Sequence, residues 1–450
     1  MPWYALAVAA RETSLFAAAG LVLGGLDDVL IDLIWIGRTL WRGGTVYRRH
    51  PRCTAASLAA PERPGRIAIF VAAWLESDVI GDMLRTALGR LAHDDYRIFV
   101  GTYPNDPATQ AAVRAVDDSR LHLVGGVLPG PTTKAECLNR CWEALRRDEQ
   151  RTGIRYKAVL LHDAEDVVHP QELRVVDRLI ERFDLVQLPV LPLIDEGSRW
   201  ISGHYGDEFA ELHGRQVVVR EALGAAIPAA GVGCALGREV LARIAEEANG
   251  APFDASSLTE DYEIGLRMAR LGARSAFVAM PAAPGEPLVA VRAFFPATLT
   301  AAVRQKTRWI TGIACAGWDR LRWDRGFVEC WMRLRDRRAI LSALVLAAAY
   351  LALVLTGLCR LLRVPIAWPA GVPALMAVTS GLLVWRLIWR GVTVWRFYGW
   401  REGLRSLPRT VVANIILMMA ARRALGAYIP GVVPAWDKTS HRFPTVPTCE

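Results

Sequence analysis

Lysine is scarce in this chain: Lys134, Lys157, Lys306 and Lys438 stand against fifty arginines. Where arginine is the default cation, a lysine marks a place that suits a compact point charge. Three of the four fall inside the motifs described below. Paired cysteines are also missing, for the eight cysteines are scattered without a C-x-x-C pair or a His/Cys metal spacing. That excludes a zinc ribbon and a disulfide framework and suits a reducing compartment. Cys137 and Cys141, four apart on an expected helix, are expected to pack. No G-x-x-x-x-G-K-[ST] loop occurs, so a Walker-type phosphate site is excluded. No aromatic-basic strand motif occurs either, and the formal charge of +9 therefore does not indicate nucleic acid. The arginines gather instead beside apolar segments (Arg38, Arg42, Arg48, Arg49; Arg333, Arg335, Arg337, Arg338; Arg386, Arg390, Arg396, Arg401), as at cytoplasmic membrane flanks.

Hydrophobicity is what the chain has in plenty, at 52% of 450 residues with 22% charged. That suits a soluble domain joined to a membrane portion. Residues 1–45 are expected to hold a transmembrane and interfacial portion. Tyr4–Leu26 is largely apolar, interrupted by Arg11 and Glu12, and reads as an anchor rather than a cleaved signal. Asp27–Trp41 mixes acids with apolar residues and is expected to lie along the bilayer, continuation of the first helix being the alternative. Residues 321–338 form a basic interfacial linker, and two spans are expected within 339–390, at Ala339–Cys359 and about 368–388. In 391–450, Val411–Ala420 is short and bracketed by Arg409, Arg422 and Arg423. It is expected to be an interfacial helix ahead of a cytoplasmic tail, with a fourth span as the alternative. The arginine bias puts the soluble domain on the cytoplasmic side of a multi-pass bacterial inner-membrane protein.

Residues 62–320 are soluble in character. Strand patterns at Arg66–Ala73, Tyr96–Thr102, Leu121–Val127, Lys157–His162 and Leu185–Val190 alternate with helical patterns near 78–92, 107–117, 133–148 and 170–182. This order predicts an α/β domain with a largely parallel, helix-covered sheet. Three strands run into polar tips, Trp74-Leu75-Glu76, Tyr103-Pro104-Asn105-Asp106 and His162-Asp163. Ligands in such sheets sit beyond the carboxyl ends of the strands.

Four clusters carry chemistry. Asp163-Ala164-Glu165-Asp166 ends a hydrophobic strand, and carboxylates so spaced can meet a hard divalent cation, Mg2+ or Mn2+, that bridges a diphosphate; the plain alternative is an acidic turn. Lys134 opens a helix after a Gly/Pro/Thr run, which suits phosphate as well as it suits a solvated lysine. Thr259-Glu260-Asp261 precedes a helix, where it could merely cap it. Chemically, Asp261 would be a general base that takes the proton of an attacking hydroxyl, and a single base suits inversion. Gln305-Lys306-Thr307-Arg308-Trp309 lies on a helix with Gln305, Arg308 and Trp309 on one face. An indole there could stack on a sugar while Gln and Arg hold hydroxyls or a diphosphate; the alternative is a Trp/Arg anchor at a membrane surface.

With these motifs in order ahead of apolar spans, the chain resembles membrane-bound family-2 glycosyltransferases of the GT-A fold, the group of cellulose, hyaluronan and poly-N-acetylglucosamine synthases. Val100–Asp106, His162–Asp166, Asp207–His213 and Trp436–His441 look like the NfrB-type phage-adsorption B proteins over nearly the whole length. The resemblance implies a GT-A (Rossmann-like) mixed sheet covered by helices, about three transmembrane helices and interfacial amphipathic helices. It implies nucleotide-sugar contacts at Glu76, Asp106, Lys134 and Asp163 and a metal at Asp163, Glu165 and Asp166. It further implies catalysis at Asp261 beside Glu260, and an acceptor or diphosphate clamp at Gln305, Arg308 and Trp309. The activity implied is inverting transfer of a hexose or N-acetylhexosamine from a UDP-sugar to a growing exopolysaccharide, with an outer-membrane export partner or a homo-oligomer. A polyprenyl-phosphate glycosyltransferase, or a non-catalytic scaffold for phage uptake, would use the same fold. Where relatives often read Pro-Ala-Trp-Asn-Glu, this chain reads Ala72-Ala73-Trp74-Leu75-Glu76. The cyclic-di-GMP-binding extension of such proteins is not expected here.

Overall fold

The computed structural model describes residues 2–429 and 441–445. Trp436–Ser440 of the terminal motif, with Lys438, lies outside the described residues. Seven strands form one mixed sheet: β1 (Ile67–Ala72), β2 (Tyr96–Thr102), β3 (Leu121–Gly125), β4 (Ala158–Asp163), β5 (Leu185–Gln187), β6 (Cys234–Gly237) and β7 (Ser275–Phe277), in the order β3-β2-β1-β4-β6-β5-β7. The five expected strands are present, β3 and β5 ending earlier than their apolar runs. β1 to β4 pair in parallel, while β6 runs antiparallel between β4 and β5. β6 and β7 escaped the pattern because three or four residues carry too little period to read.

Every residue of β1 is buried, as a central parallel strand covered on both faces requires. Alternation sends Ile67, Ile69 and Val71 to one layer, against the helix Ile80–Arg90. Ala68, Phe70 and Ala72 go to the other, against Leu138 and Trp142 of the helix Lys134–Thr152. That second helix is bounded at both ends: Thr133 Oγ1 accepts from the Glu136 N–H, and Gly153 takes a left-handed φ of 70°. Cys137 and Cys141 are buried free thiols within this layer, as expected.

Among the described residues four helices are long and apolar enough to cross a membrane: the one within Trp3–Arg49, Ala339–Leu361, Val372–Tyr398 and Trp400–Tyr428. The first helix, Pro2–Gly44, is continuous over 43 residues, so Asp27–Trp41 is its lower half rather than a separate surface helix. At 1.5 Å per residue it is roughly twice as long as a bilayer core is thick, so about half of it is all that an upright span would use. Its upper half is held by close packing: a Cβ on Gly20 would meet Val345 at 2.5 Å, and one on Gly25 would meet Leu382 at 3.0 Å. Its lower half docks by charge. Asp27 and Asp28 pair with Arg338 at 2.5 and 2.6 Å, Asp28 with Arg386 at 2.6 Å, and Asp32 with Arg215 and the Trp385 indole.

The last described helix, Trp400–Tyr428, contains the Val411–Ala420 run and touches the α/β domain along its length. Near its start Arg409, fully buried, grips Asp207 with two nitrogens at 2.6 and 2.9 Å. Midway the Ala420 carbonyl faces Thr307 Oγ1 at 3.4 Å, and at its end Tyr428 donates to Asp319. Ile416, Ala420 and Ala424 are buried with Tyr205, Phe209 and Ile310, while Val411, Ile415 and Met419 stay exposed on the other side.

Candidate active site

Ala72 of β1 is in register with Gly101 of β2 and Asp163 of β4, so the loops after these strands open on one edge. After β1, Leu75 adopts a left-handed φ of 54°, uncommon for a non-glycine residue. Asp106 holds it there: Oδ2 accepts from Leu75 N at 2.6 Å while Oδ1 caps the helix Pro107–Arg114 through Thr109 N at 3.2 Å. Asp106, expected at the nucleotide, therefore uses both oxygens to shape the loop that presents Glu76. Glu76 Oε1 is 2.9 Å from His441 Nδ1, and His441 Nδ1 is 3.2 Å from Glu165 Oε2. Ligand atoms of these three residues lie within 4.8 Å of one another.

The acidic turn splits in two. Asp163 faces Lys134, with Nζ 2.5 Å from Oδ1. Asp166, expected with the metal ligands, braces the turn from beneath: its Oδ2 accepts from Asp163 N at 2.9 Å and meets His162 Nδ1 at 2.9 Å. His162 is fully buried, with its other nitrogen 3.1 Å from Glu172. Burial opposes a charge on His162, but Glu172 and Asp166 outweigh it and raise the imidazole to about 10. The strut is thus an imidazole set between two carboxylates, a role the strand pattern alone gave no means of seeing.

Across the cleft Glu260 Oε1 lies 3.9 Å from Lys134 Nζ. Thr259 makes no side-chain cap on the helix Glu260–Arg270. Asp261 instead folds back, its Oδ1 accepting from Tyr262 N at 2.8 Å. Gly231, at φ 78°, makes room for it, since a Cβ there would meet Asp261 Oδ2 at 2.4 Å. Burial raises Asp261 above the usual carboxylate range, with Lys134 opposing. Burial and the neighbouring Asp261 push Glu260 up to about 7. For Asp163 burial also acts upward, but Lys134 prevails and holds it below the usual value. Burial lifts Glu165 to about 8 against the pull of His441. Burial disfavours the His441 cation, but Glu165 and Glu76 raise it to about 9.

The helix Leu299–Ile310, capped by Thr298 on Ala301 N, closes the cleft. Gln305, Arg308 and Trp309 line it together, as their helical spacing predicts. Trp309 stands edge-on to Tyr205 and Phe209, with centroids 6.1 and 6.3 Å apart. Gln305 Oε1 and Arg308 Nε are buried without a hydrogen-bond partner among the described residues. Arg308 acts electrostatically on Asp163, Glu260 and Asp261. The resulting cleft has a volume of about 440 Å³ and is lined by Lys134, Asp163, Glu165, Glu260, Asp261 and His441 together with the clamp residues. That is the size range of small-molecule sites. Glu76 and Asp106 sit behind its wall. His441 closes the Trp436–His441 motif, whose spacing carries no ligand role for it because its partners Glu76 and Glu165 lie hundreds of residues away.

The family described as "Glycosyltransferase like family 2" matches residues 64–312. Bacteriophage adsorption protein B of Escherichia coli (strain K12) and Bacteriophage N4 adsorption protein B of Escherichia coli O157:H7 are each 39% identical over 460 residues, covering 94% of this chain and 61% of theirs. The chain thus spans about three fifths of the length of the curated relatives it matches. The mannosyltransferase PcManGT from Pyrobaculum calidifontis, solved in complex with GDP-Man and Mn2+, superposes with a TM-score of 0.52 at 16% identity, covering 94% of this chain and 99% of that one.

Proposed function

The chain belongs to glycosyltransferase family 2 with the GT-A architecture, and from that premise we propose that it is an inverting glycosyltransferase of the bacterial inner membrane. It transfers a hexose or N-acetylhexosamine from a UDP-sugar to a growing extracytoplasmic polysaccharide. One observation carries the reading: Lys134, Asp163, Glu260, Asp261, Arg308 and Trp309, drawn from four separated segments, line one cleft.

The diphosphate of the donor lies against Lys134, whose ammonium stays charged because Asp163, Glu260 and Asp261 offset its burial. Glu76, Glu165 and His441, with Asp163 beside them, would hold a divalent cation. Carboxylates with one imidazole form a donor set that fits Mn2+ and, less well, Mg2+. When bound, the cation supplies neutralisation of the charge that builds on the departing nucleoside diphosphate. Asp261 accepts the proton of the acceptor hydroxyl as its oxygen bonds to the anomeric carbon and the anomeric C–O bond to the diphosphate breaks. No second carboxylate is needed as a nucleophile, so configuration inverts. Arg308 spans the two halves, near enough to the acids to favour a diphosphate and beside Trp309, which stacks on the acceptor sugar.

The domain boundaries follow the same reading. The upper half of the first helix, Ala339–Leu361 and the upper part of Val372–Tyr398 cross the bilayer. The terminal helix lies at the interface, its buried face on the domain and its exposed apolar face to lipid; contacts with the domain at both its ends support this over a fourth span. The catalytic domain is cytoplasmic, and an export partner or a second copy completes the exit path.

The test is a panel of labelled UDP- and GDP-sugars on purified membranes with Mn2+ or Mg2+, comparing the natural protein with Asp261→Asn. One UDP-sugar should turn over, and the variant should not transfer it. Turnover with a GDP-sugar alone would correct the donor, and equal nucleotide release from both proteins would remove Asp261 as the base.

A further inference from the structure

Beyond the acids the cleft continues as a second arm between the helix Ile201–Glu211, the helix Leu299–Ile310 and the basic segment that leads into Ala339–Leu361. Phe209, Phe295 and Trp309 wall it, with centroids 5.1 to 6.5 Å apart. Glu208 opens onto it with 45% of its side chain exposed, while its ion-pair partner Lys306 is 10% exposed. Lys306 is fixed from behind by two aromatic faces, 4.7 Å from the Trp309 centroid and 5.2 Å from that of Tyr205. A buried cation pinned in this way aims the carboxylate into the arm. Partial desolvation in the cleft acts upward on Glu208, but Lys306 prevails and keeps it below its ordinary value, so it is ionised at neutral pH.

Four cations of this arm are held in ion pairs. Lys306 meets Glu208, Arg220 meets Asp336 at 2.9 Å, and Arg335 and Arg338 meet Asp27 and Asp28. Arg308 stands at the junction and acts on Asp163, Glu260 and Asp261. An aromatic wall beside an ionised carboxylate suits a sugar ring whose hydroxyls donate hydrogen bonds. A uronate or a phosphate brought beside Glu208 would lose its water next to a like charge, while Arg308, whose buried Nε has no hydrogen-bond partner among the described residues, stands toward the acids at the junction.

We propose that Glu208, positioned by Lys306, is the acceptor-specificity residue and that this arm takes an uncharged saccharide and rejects anionic acceptors. This rests on the glycosyltransferase reading above and narrows its acceptor class.

The full chain in detergent, at saturating donor, is offered neutral oligosaccharides, uronate oligosaccharides of equal length and a polyprenyl phosphate, with products identified by mass spectrometry. UDP release without acceptor reports the glycosyltransferase reading separately. The neutral acceptor should exceed its uronate counterpart in kcat/KM by at least about tenfold. That ratio should fall to within about threefold in Glu208→Gln, and likewise in the charge-balanced pair Glu208→Gln with Lys306→Met, which leaves no buried ammonium unpaired. A natural protein that prefers uronate or polyprenyl phosphate while releasing UDP would overturn the assignment, as would both variants keeping the full ratio. Absence of UDP release with every donor would remove the underlying reading and this one with it.

Discussion

The proposed donor arm of the cleft stands on loops that leave the ends of β1, β2 and β4, whereas the proposed acceptor arm is walled by helices from widely separated parts of the chain. The donor arm concentrates charge: Lys134 sits between Asp163 and Glu260, and His441 between Glu76 and Glu165. The acceptor arm spreads aromatic surface and keeps its ions in matched pairs. A sheet edge fixes backbone atoms rigidly enough to hold a diphosphate and a metal. A helical wall offers broad faces on which a sugar can slide or stack. Substitutions in the donor arm should therefore act on chemistry and metal, and those in the acceptor arm on acceptor use.

The sharpest division comes from Asp261→Asn, which should cut kcat about 10³-fold while donor affinity, read by calorimetry, changes little. Lys134→Met leaves Asp163 and Glu260 without their shared cation. It should lower kcat roughly 10²-fold in steady-state assays, with a large part of the loss in donor affinity. Glu165→Gln and His441→Ala should each raise the Mn2+ concentration for half-maximal activity about 10- to 100-fold, and activity should recover at high Mn2+. If His441→Ala instead behaves like a folding defect that metal does not rescue, the terminal histidine belongs to the scaffold. Trp309→Ala should lower kcat/KM for acceptor about tenfold while leaving donor hydrolysis less affected. A loss confined to the donor would break the division between the arms.

The pH profile bears on the same comparison. The base works only when deprotonated, and burial raises Asp261, while Glu260 beside it is pushed to about 7. Activity should therefore fall as pH drops through a region above the ordinary carboxylate value near 4. The acid limb should be absent from the residual activity of Asp261→Asn. An acid limb near pH 4 in the natural protein would place the working base in a more solvated position.

The donor arm was largely legible because its residues follow strands, and a hydrophobic run that ends in acids marks the ligand edge of a parallel sheet. The turns at Glu76, Asp106 and Asp163 were found that way. What each acid does there was not legible: Asp106 holds Leu75, and Asp166 braces Asp163 through His162. Sequence spacing names the carboxylates but not which backbone N–H each one meets. The acceptor arm was legible at Gln305, Arg308 and Trp309, which share a helical face. Glu208 falls within the Asp207–His213 motif, but its role, like that of Phe295, had no such signal, since nothing local says that the helix Ile201–Glu211 faces the helix Leu299–Ile310.

By itself the sequence determined the alternation of strands and helices, the apolar segments and the ordered acidic and aromatic motifs, since all of these are periodic or contiguous. Only the tertiary structure decided that the first helix runs unbroken onto the domain, because the acids at 27, 28 and 32 find their arginines in distant segments. It likewise decided that His441 returns to Glu76 and Glu165, and that Lys306 turns Glu208 into the cleft. Pairings of buried charge are settled by where the chain brings the second partner, and that position is not written beside the first.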